Sequence, residues 1–201
     1  MPIFRDKAEL LAYAENFTKV RLDSLQKDVN HCLKYPYAPF PALLYCFSTI
    51  DLLGALYRGN ATKDANTSLQ SADYMKDFLR YTDEQARLLQ KIFRHKIVHL
   101  AQPKPIIEDD SRMVAWHYYH DNKTEHLKLK KLQKPVKYTV TGSWTMFYDY
   151  EFGVSIKHIV DDIRQSLEDT SKGYLESLSR NSSLQSLFRK AIEEILNPIQ
   201  M

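Results

Sequence analysis

The hydrophobic positions in the first half of the chain repeat with the period of amphipathic α-helices. They predict four helices, at about residues 6–33, 42–57, 67–81 and 83–100. Three prolines between residues 36 and 41 separate the first two helices, and Thr82 has the character of an N-cap for the fourth. The second helix is apolar nearly all round, which places it at the centre of the fold. Gly54 on this helix would allow a neighbouring helix to approach closely.

The pattern changes after the prolines at positions 103 and 105, and β-forming residues dominate residues 106–150. Within this stretch, residues 113–120 and 125–132 predict a β-hairpin, and residues 138–150 predict one further strand or two. Helical spacing returns at about residues 154–167 and again at 184–196. We therefore expect a mainly α fold, in which a helical bundle carries a small antiparallel β insertion at residues 106–150 within a single domain of residues 1–201. The alternative is a helical bundle packed against an independent small sheet.

Composition narrows the class of protein. The chain has 201 residues, of which 44% are hydrophobic and 26% charged, as in folded globular domains that bury a core without disulfides. Cys32 and Cys46 both fall within apolar helical patterns, which indicates a reducing compartment, the cytoplasm. The N-terminal residues lack the apolar stretch of a secretory signal, and no long run is free of charge, so we expect no membrane span.

The net charge of +3 is unevenly distributed along the chain. Residues 123–137 hold six lysines and one glutamate, so attraction for a polyanion is expected to be local. Lys128, Lys130 and Lys131 lie close in sequence to many aromatic residues, and such a combination can grip single-stranded RNA. The alternative is an aromatic layer that faces the core, with a solvated lysine face that protects a strand edge.

A basic run at the end of the predicted fourth helix carries the strongest candidate chemistry. It begins with Arg94 and His95 and ends with His99. Arginine neutralises phosphate without titrating, and histidine exchanges protons near neutral pH. At about 100° per residue, Arg94 and His99 point about 140° apart on one straight helix. A long arginine side chain, fraying near Pro103, or a site shared between two copies of the chain would bring them together.

This run resembles the signature of HEPN domains, in which an arginine and a polar residue precede a histidine by a few positions. The resemblance covers the predicted helices of about residues 1–105 and 154–197 and leaves residues 106–150 unmatched. It implies a helical bundle and, as in many members, a metal-independent endoribonuclease of the toxin or host-defence type. It also implies a homodimer, RNA as substrate, no cofactor and, in the toxin branch, an antitoxin partner.

The same resemblance assigns roles to individual residues. Arg94 and His99 become the catalytic pair, and His95 supplies the polar position of the motif. Asp51 is expected to support them on other grounds, because an acid in an apolar helix needs a partner. One branch of the family is regulated through a tyrosine two residues after the histidine, and Ala101 occupies that position here, so this regulation is not indicated. The alternative function is a non-catalytic module of the same fold that binds nucleotide, RNA or a protein partner.

Several simpler interpretations compete with this one. Arg112 and His117 repeat the spacing, although on a predicted strand and without the polar residue. Arg94 and His99 also fit a surface arginine and a histidine that compensates the helix dipole. A zinc site at His95 and His99 lacks the glutamate of a zinc-protease helix and an evident third ligand. Asp51 either holds Arg94 or a histidine in place or forms a purely structural ion pair.

Overall fold

The computed structural model describes residues 3–94, 105–140 and 144–197. Its helices in these ranges are α1 (Lys7–Cys32), α2 (Pro39–Arg58), α3 (Thr67–Asp77), α4 (Asp83–Leu89), α5 (Ile156–Glu168), α6 (Tyr174–Arg180) and α7 (Ser182–Leu196), with a π-helical segment at Gln90–Arg94 directly after α4. The strands are β1 (Ile106–Asp109), β2 (Arg112–Tyr119), β3 (Leu129–Val140) and β4 (Trp144–Ser155).

The helices follow the predicted periodicity closely at their starts. The Asp6 side chain accepts a hydrogen bond from the backbone N–H of Glu9 and so caps α1. Thr82 and Gln85 form a complete capping box at the start of α4. Two helix ends differ from the expectation: α3 stops before Arg80, which has a left-handed φ of 60°, and α4 becomes π-helical after Leu89. The short helix α6 was not predicted.

Helix α2 lies at the centre of the fold, as its apolar pattern predicted. Ten of its residues are buried, and Cys46 is among them, whereas Cys32 on α1 is only half-buried. By length and composition alone α2 could also cross a membrane, but 56% of that window is buried inside the fold. The central helix of a globular core meets the same criteria.

The predicted fold class, a helical bundle with a small antiparallel β insertion, is wrong. The strands form a four-stranded mixed sheet in the order β1-β2-β4-β3, in which β2 and β4 are parallel. Val114, Phe152 and Val154 of this sheet belong to the same hydrophobic cluster as the helices, so the sheet is part of the core of an arrangement of helices and sheet.

The predicted pairing of residues 113–120 with 125–132 is also wrong. β2 instead pairs with β1, through a two-residue turn at Asp110 and Ser111 whose φ values are both positive, and β3 pairs with β4. A local pattern of alternation identifies strands but not their partners, because the β2–β4 pairing joins Val114 to Tyr150, far away in sequence.

Candidate functional site

The predicted catalytic residues fall at the edge of the described structure. The backbone of Arg94 closes the π-helical segment, whereas the side chain of Arg94 and the whole of His95 and His99 lie outside the described residues. Their convergence therefore stays a prediction, and the disfavoured zinc alternative also concerns two histidines outside the described residues.

The π-helical segment at Gln90–Arg94 is unusual because such segments are rare and are frequent at functional sites. It has more residues per turn than an α-helix. The direction of the Arg94 side chain therefore cannot be calculated from the 100° per residue of an unbroken α-helix. The segment also packs against α2, the helix that carries Asp51. It thus sets the position from which the basic run starts.

Two polar contacts hold this segment. The Gln90 side-chain amide donates a hydrogen bond to the Ser68 carbonyl oxygen on α3. The Lys91 Nζ atom lies 2.8 Å from Asp109 Oδ1 at the end of β1. The chain therefore enters the basic run from a backbone that is fixed between α3 and the β1–β2 hairpin.

Asp51 lies half-buried on α2 and accepts a hydrogen bond from the Ser71 hydroxyl on α3. The two helices can come this close because a Cβ atom at Gly54 would lie only 2.7 Å from the Gln70 carbonyl. The predicted role of Gly54 is confirmed. The described contact of Asp51 is a hydrogen bond between helices, and its predicted support of Arg94 or a histidine stays a prediction.

Asp109 is a buried carboxylate that the sequence analysis missed. Its side chain is fully buried and contacts three cations: Arg87 Nη1 at 2.5 Å, Lys91 Nζ at 2.8 Å and Arg112 Nη2 at 2.7 Å. Arg112 also pairs with Glu84 at 2.8 Å, which ties β2 to α4. Arg87 and Lys91 lie one helical turn apart, and this basic pair was the only hint of the cluster in the sequence. It could not identify Asp109, because the acidic partner lies in another element.

The cations decide the ionisation of Asp109. Burial alone would raise the pKa of this carboxyl. Hydrogen bonds from Lys91 and Arg112, together with the charge of Arg87, outweigh burial and hold the pKa of Asp109 below its ordinary value. The same contacts place Arg112, one half of the second arginine–histidine match, in a structural ion-pair network.

A second polar cluster, around His126, also went unpredicted. The backbone N–H of Ser155 donates to His126 Nδ1 at 3.0 Å, so the ring hydrogen resides on Nε2, 3.1 Å from Asp162 Oδ2. The Tyr81 hydroxyl donates to the same oxygen at 2.7 Å, and burial, followed by the charge of Asp162, raises the pKa of Tyr81 well above its ordinary value. Both ring nitrogens of His126 are engaged, which favours a structural role over proton transfer. No local motif could have revealed a cluster drawn from separate elements.

The lysines of the β region lie on or beside β3, the outer strand of the sheet. Lys128 lies 3.6 Å from Glu125, Lys130 is exposed, and Lys131 Nζ lies 6.0 Å from the centre of the Tyr150 ring. The alternative of a core-facing aromatic layer holds for Trp116 and Tyr150, which are half-buried and pack against the core, but not for the outer part of the sheet. Phe147 there is 58% exposed.

A groove of about 620 Å³ lies between α1, α5 and α6. Leucines and charged residues line it together, among them Leu11, Leu167, Glu15 and Arg164. Among the described residues of β3, none lines this groove. Within residues 3–94, 105–140 and 144–197, no group of three or more histidine, cysteine, aspartate or glutamate side chains is placed to hold a metal ion.

Comparison with known proteins adds no relative from which a role could be transferred. No family model, no curated protein and no solved structure matches this chain.

Proposed function

We propose that the chain is a metal-independent endoribonuclease in which Arg94 and His99 act on RNA and His95 and Asp51 support them. The observation that carries the proposal is the π-helical segment that ends at Arg94 and is tied to α3 by Gln90 and to β1 by Lys91. A fixed backbone before a run of arginine and histidine is the arrangement that positioned acid–base chemistry requires. The proposal rests on this site and on the motif's resemblance, not on the corrected fold class.

The reaction would be an internal phosphoryl transfer within RNA. A base removes the proton of a 2′-hydroxyl, and this oxygen attacks the adjacent phosphorus atom. The bond from phosphorus to the 5′-oxygen breaks, and an acid protonates the leaving oxygen. The products are a 2′,3′-cyclic phosphate and a 5′-hydroxyl, and no metal ion is needed. His99 suits the proton transfers, and Arg94 suits the developing charge on the phosphate oxygens.

The first prediction concerns cleavage itself. Incubation of single-stranded RNA with the protein in EDTA should yield fragments with 2′,3′-cyclic phosphate ends. Arg94→Ala and His99→Ala should each lower the rate at least about 100-fold, since one donor that stabilises the developing charge and one positioned acid or base each contribute about that much. His117→Ala is the matched control: His117 occupies the equivalent place in the second match, pairs with Glu151 at 3.2 Å, and should not affect the rate.

Equal cleavage by the protein and all three variants, or no cleavage by any of them, would contradict the proposal. The homodimer is tested separately by mixing. Because a shared site draws residues from two chains, coexpressed Arg94→Ala and His99→Ala chains should recover part of the activity that each lacks alone. Activity confined to a species that elutes as a monomer would remove the shared site.

A further inference from the structure

The outer ends of β3 and β4 extend beyond the rest of the sheet. β4 pairs with β2 only from Tyr150 to Ser155, whereas its pairing with β3 continues outward to Trp144. Residues 136–140 and 144–148 therefore form a two-stranded projection, which we call the β-ribbon. A two-stranded ribbon without a packed face is only marginally stable in water. Apolar residues on such a ribbon are therefore not explained by packing within the fold.

The β-ribbon carries apolar side chains in contact with solvent. Phe147 is 58% exposed, Val136 40% and Tyr138 37%. Cross-strand pairing places Lys137 beside Phe147 on one face and Tyr138 beside Met146 on the other. Each face of the β-ribbon thus presents an aromatic ring, and one of them places a lysine directly beside it.

Lysines dominate the charge along β3 and the β-ribbon. Two carboxylates follow on β4: Asp149, which accepts a hydrogen bond from the Met113 backbone N–H, and Glu151, which pairs across the strands with Lys130. From residue 126 to residue 148 the chain has five lysines and neither aspartate nor glutamate. Lys128 pairs with Glu125, but in the described part of the chain no carboxylate oxygen lies within 4.0 Å of the amino groups of Lys130, Lys131, Lys134 or Lys137. These lysines remain available to an external anion.

We propose that the β-ribbon binds single-stranded RNA that passes around its β3 edge. One base stacks on Phe147 on one face and another on Tyr138 on the opposite face, and the lysines of β3 hold the phosphates between them. Rings that are exposed beside unpaired lysines are the combination that binds unstacked nucleic acid. A second copy of the chain fits this surface poorly, because pairing of two β3 edges would place lysines opposite lysines. The identity of the ligand as RNA rests on the proposed function, whereas the preference for a single-stranded polyanion rests on the β-ribbon alone.

The base of the β-ribbon is joined to the segment that leads to Arg94. The Tyr150 ring lies beside Lys131 and beside Arg112, whose Cζ atom is 5.5 Å from the ring centre. Arg112 contacts Asp109, which in turn contacts Lys91 in the π-helical segment. A continuous series of side chains thus links the RNA-binding surface to the start of the candidate catalytic run.

The test measures binding separately from cleavage. A fluorescent uridine-rich RNA of about 12 nucleotides, a length typical of such sites, is titrated with His99→Ala protein so that it stays intact. Phe147→Ala and Tyr138→Ala should each raise the Kd about tenfold, as expected for the loss of one stacked base. Tyr37→Ala is the matched control, because Tyr37 is also 58% exposed but contacts His120, beyond the opposite end of β2, and should leave the Kd unchanged.

The lysines are tested through the dependence on salt. Replacement of Lys130, Lys134 and Lys137 together by glutamine should lower the slope of log K against log salt by about 2, or about 0.7 for each phosphate contact. Lys27→Gln, on the exposed side of α1, should leave the slope unchanged. Circular dichroism and thermal melting should confirm that each variant is folded, which is expected because none of the replaced side chains is buried.

Unchanged binding by the aromatic variants and the triple lysine variant would overturn this proposal. So would equal affinity for duplex RNA of the same sequence, or a change in elution volume of Phe147→Ala without a change in RNA affinity. The two proposals fail distinguishably. If RNA stays intact in EDTA but binding still depends on the β-ribbon, only the proposal of cleavage is refuted. If cleavage persists but binding does not depend on the β-ribbon, only the proposal of RNA binding by the β-ribbon is refuted.

Discussion

At the scale of single residues, buried polar atoms in this fold differ in whether they find partners. Tyr74 and Tyr174 are both fully buried, with ring centres 5.9 Å apart. The Tyr74 hydroxyl lies 2.9 Å from Ser166 Oγ, whereas the Tyr174 hydroxyl has no hydrogen-bond partner among the described residues. Burial raises the pKa of both phenols, so both are neutral hydroxyls at physiological pH.

The difference predicts opposite effects of the same substitution. Tyr174→Phe should stabilise the protein by about 1 kcal/mol, because it removes a buried hydroxyl that has lost its water without gaining a bond. Tyr74→Phe should destabilise it by about 1 kcal/mol. Thermal melting should show shifts of about 3 °C in opposite directions. A fall in Tm for Tyr174→Phe would mean that this hydroxyl has a bound partner.

At the scale of elements, the α2–α3 contact depends on a glycine. The three atoms nearest to a Cβ atom at position 54 would be backbone atoms of Gln70 and Ser71, all within 2.9 Å, and backbone cannot move aside as a side chain can. This contact also brings Ser71 within hydrogen-bond reach of Asp51. The approach of the two helices therefore positions one of the supporting residues of the proposed site.

Gly54→Ala should destabilise the protein by about 2 kcal/mol or more, although alanine favours helix formation by about 1 kcal/mol over glycine. Urea unfolding measures the change. Ser48→Ala on the exposed side of α2 is the control and should shift the free energy of unfolding by less than about 0.5 kcal/mol. A stabilised Gly54→Ala protein would show that the two helices can move apart without a loss of stability.

The elements also show what the sequence could predict. The periodicity of α1, α2 and α7 identified these helices, because a buried stripe repeats within a few residues. The β2–β4 pairing could not be read in this way, since nothing near Val114 specifies Tyr150 as its neighbour. The π-helical segment was equally hidden, because the sequence from Gln90 to Arg94 suits an ordinary helix. The candidate run was found from residue types alone, whereas Asp109 needed the fold.

At the scale of the whole molecule, Asp109 joins the sheet to the helices. It lies at the end of β1, and its three cations come from α4, the π-helical segment and β2. Since its pKa in the folded protein lies below the ordinary value of about 3.9, the ionised carboxylate stabilises the fold. That stabilisation is complete above the unfolded pKa and disappears as the pH falls through the folded pKa.

Asp109→Asn should therefore lower the free energy of unfolding by about 2 to 3 kcal/mol at pH 7, because it leaves buried donors without an anionic acceptor. The loss should be the same at pH 5.5. It should begin to shrink below about pH 4, where the carboxyl of the unfolded chain takes up a proton, and should continue to shrink until the pH falls through the lower pKa of the folded state. Urea unfolding at pH 7, 5.5 and 3 measures it. Asp110→Asn is the control: Asp110 is exposed, and asparagine tolerates its positive φ, so the loss should stay below about 1 kcal/mol. A loss independent of pH would contradict the ion-pair account.

The pairing of β4 has a consequence for how this chain can vary in length. β3 touches the sheet only through β4, and the pairs from Val136 outward involve no other strand. Removing or adding one residue in each strand of this hairpin keeps every inner pair in register. Removing or adding two residues in each strand also keeps each side chain on the same face of the β-ribbon. The β-ribbon can thus become shorter or longer without a change in the core. Its length can therefore be adapted to the size of a ligand.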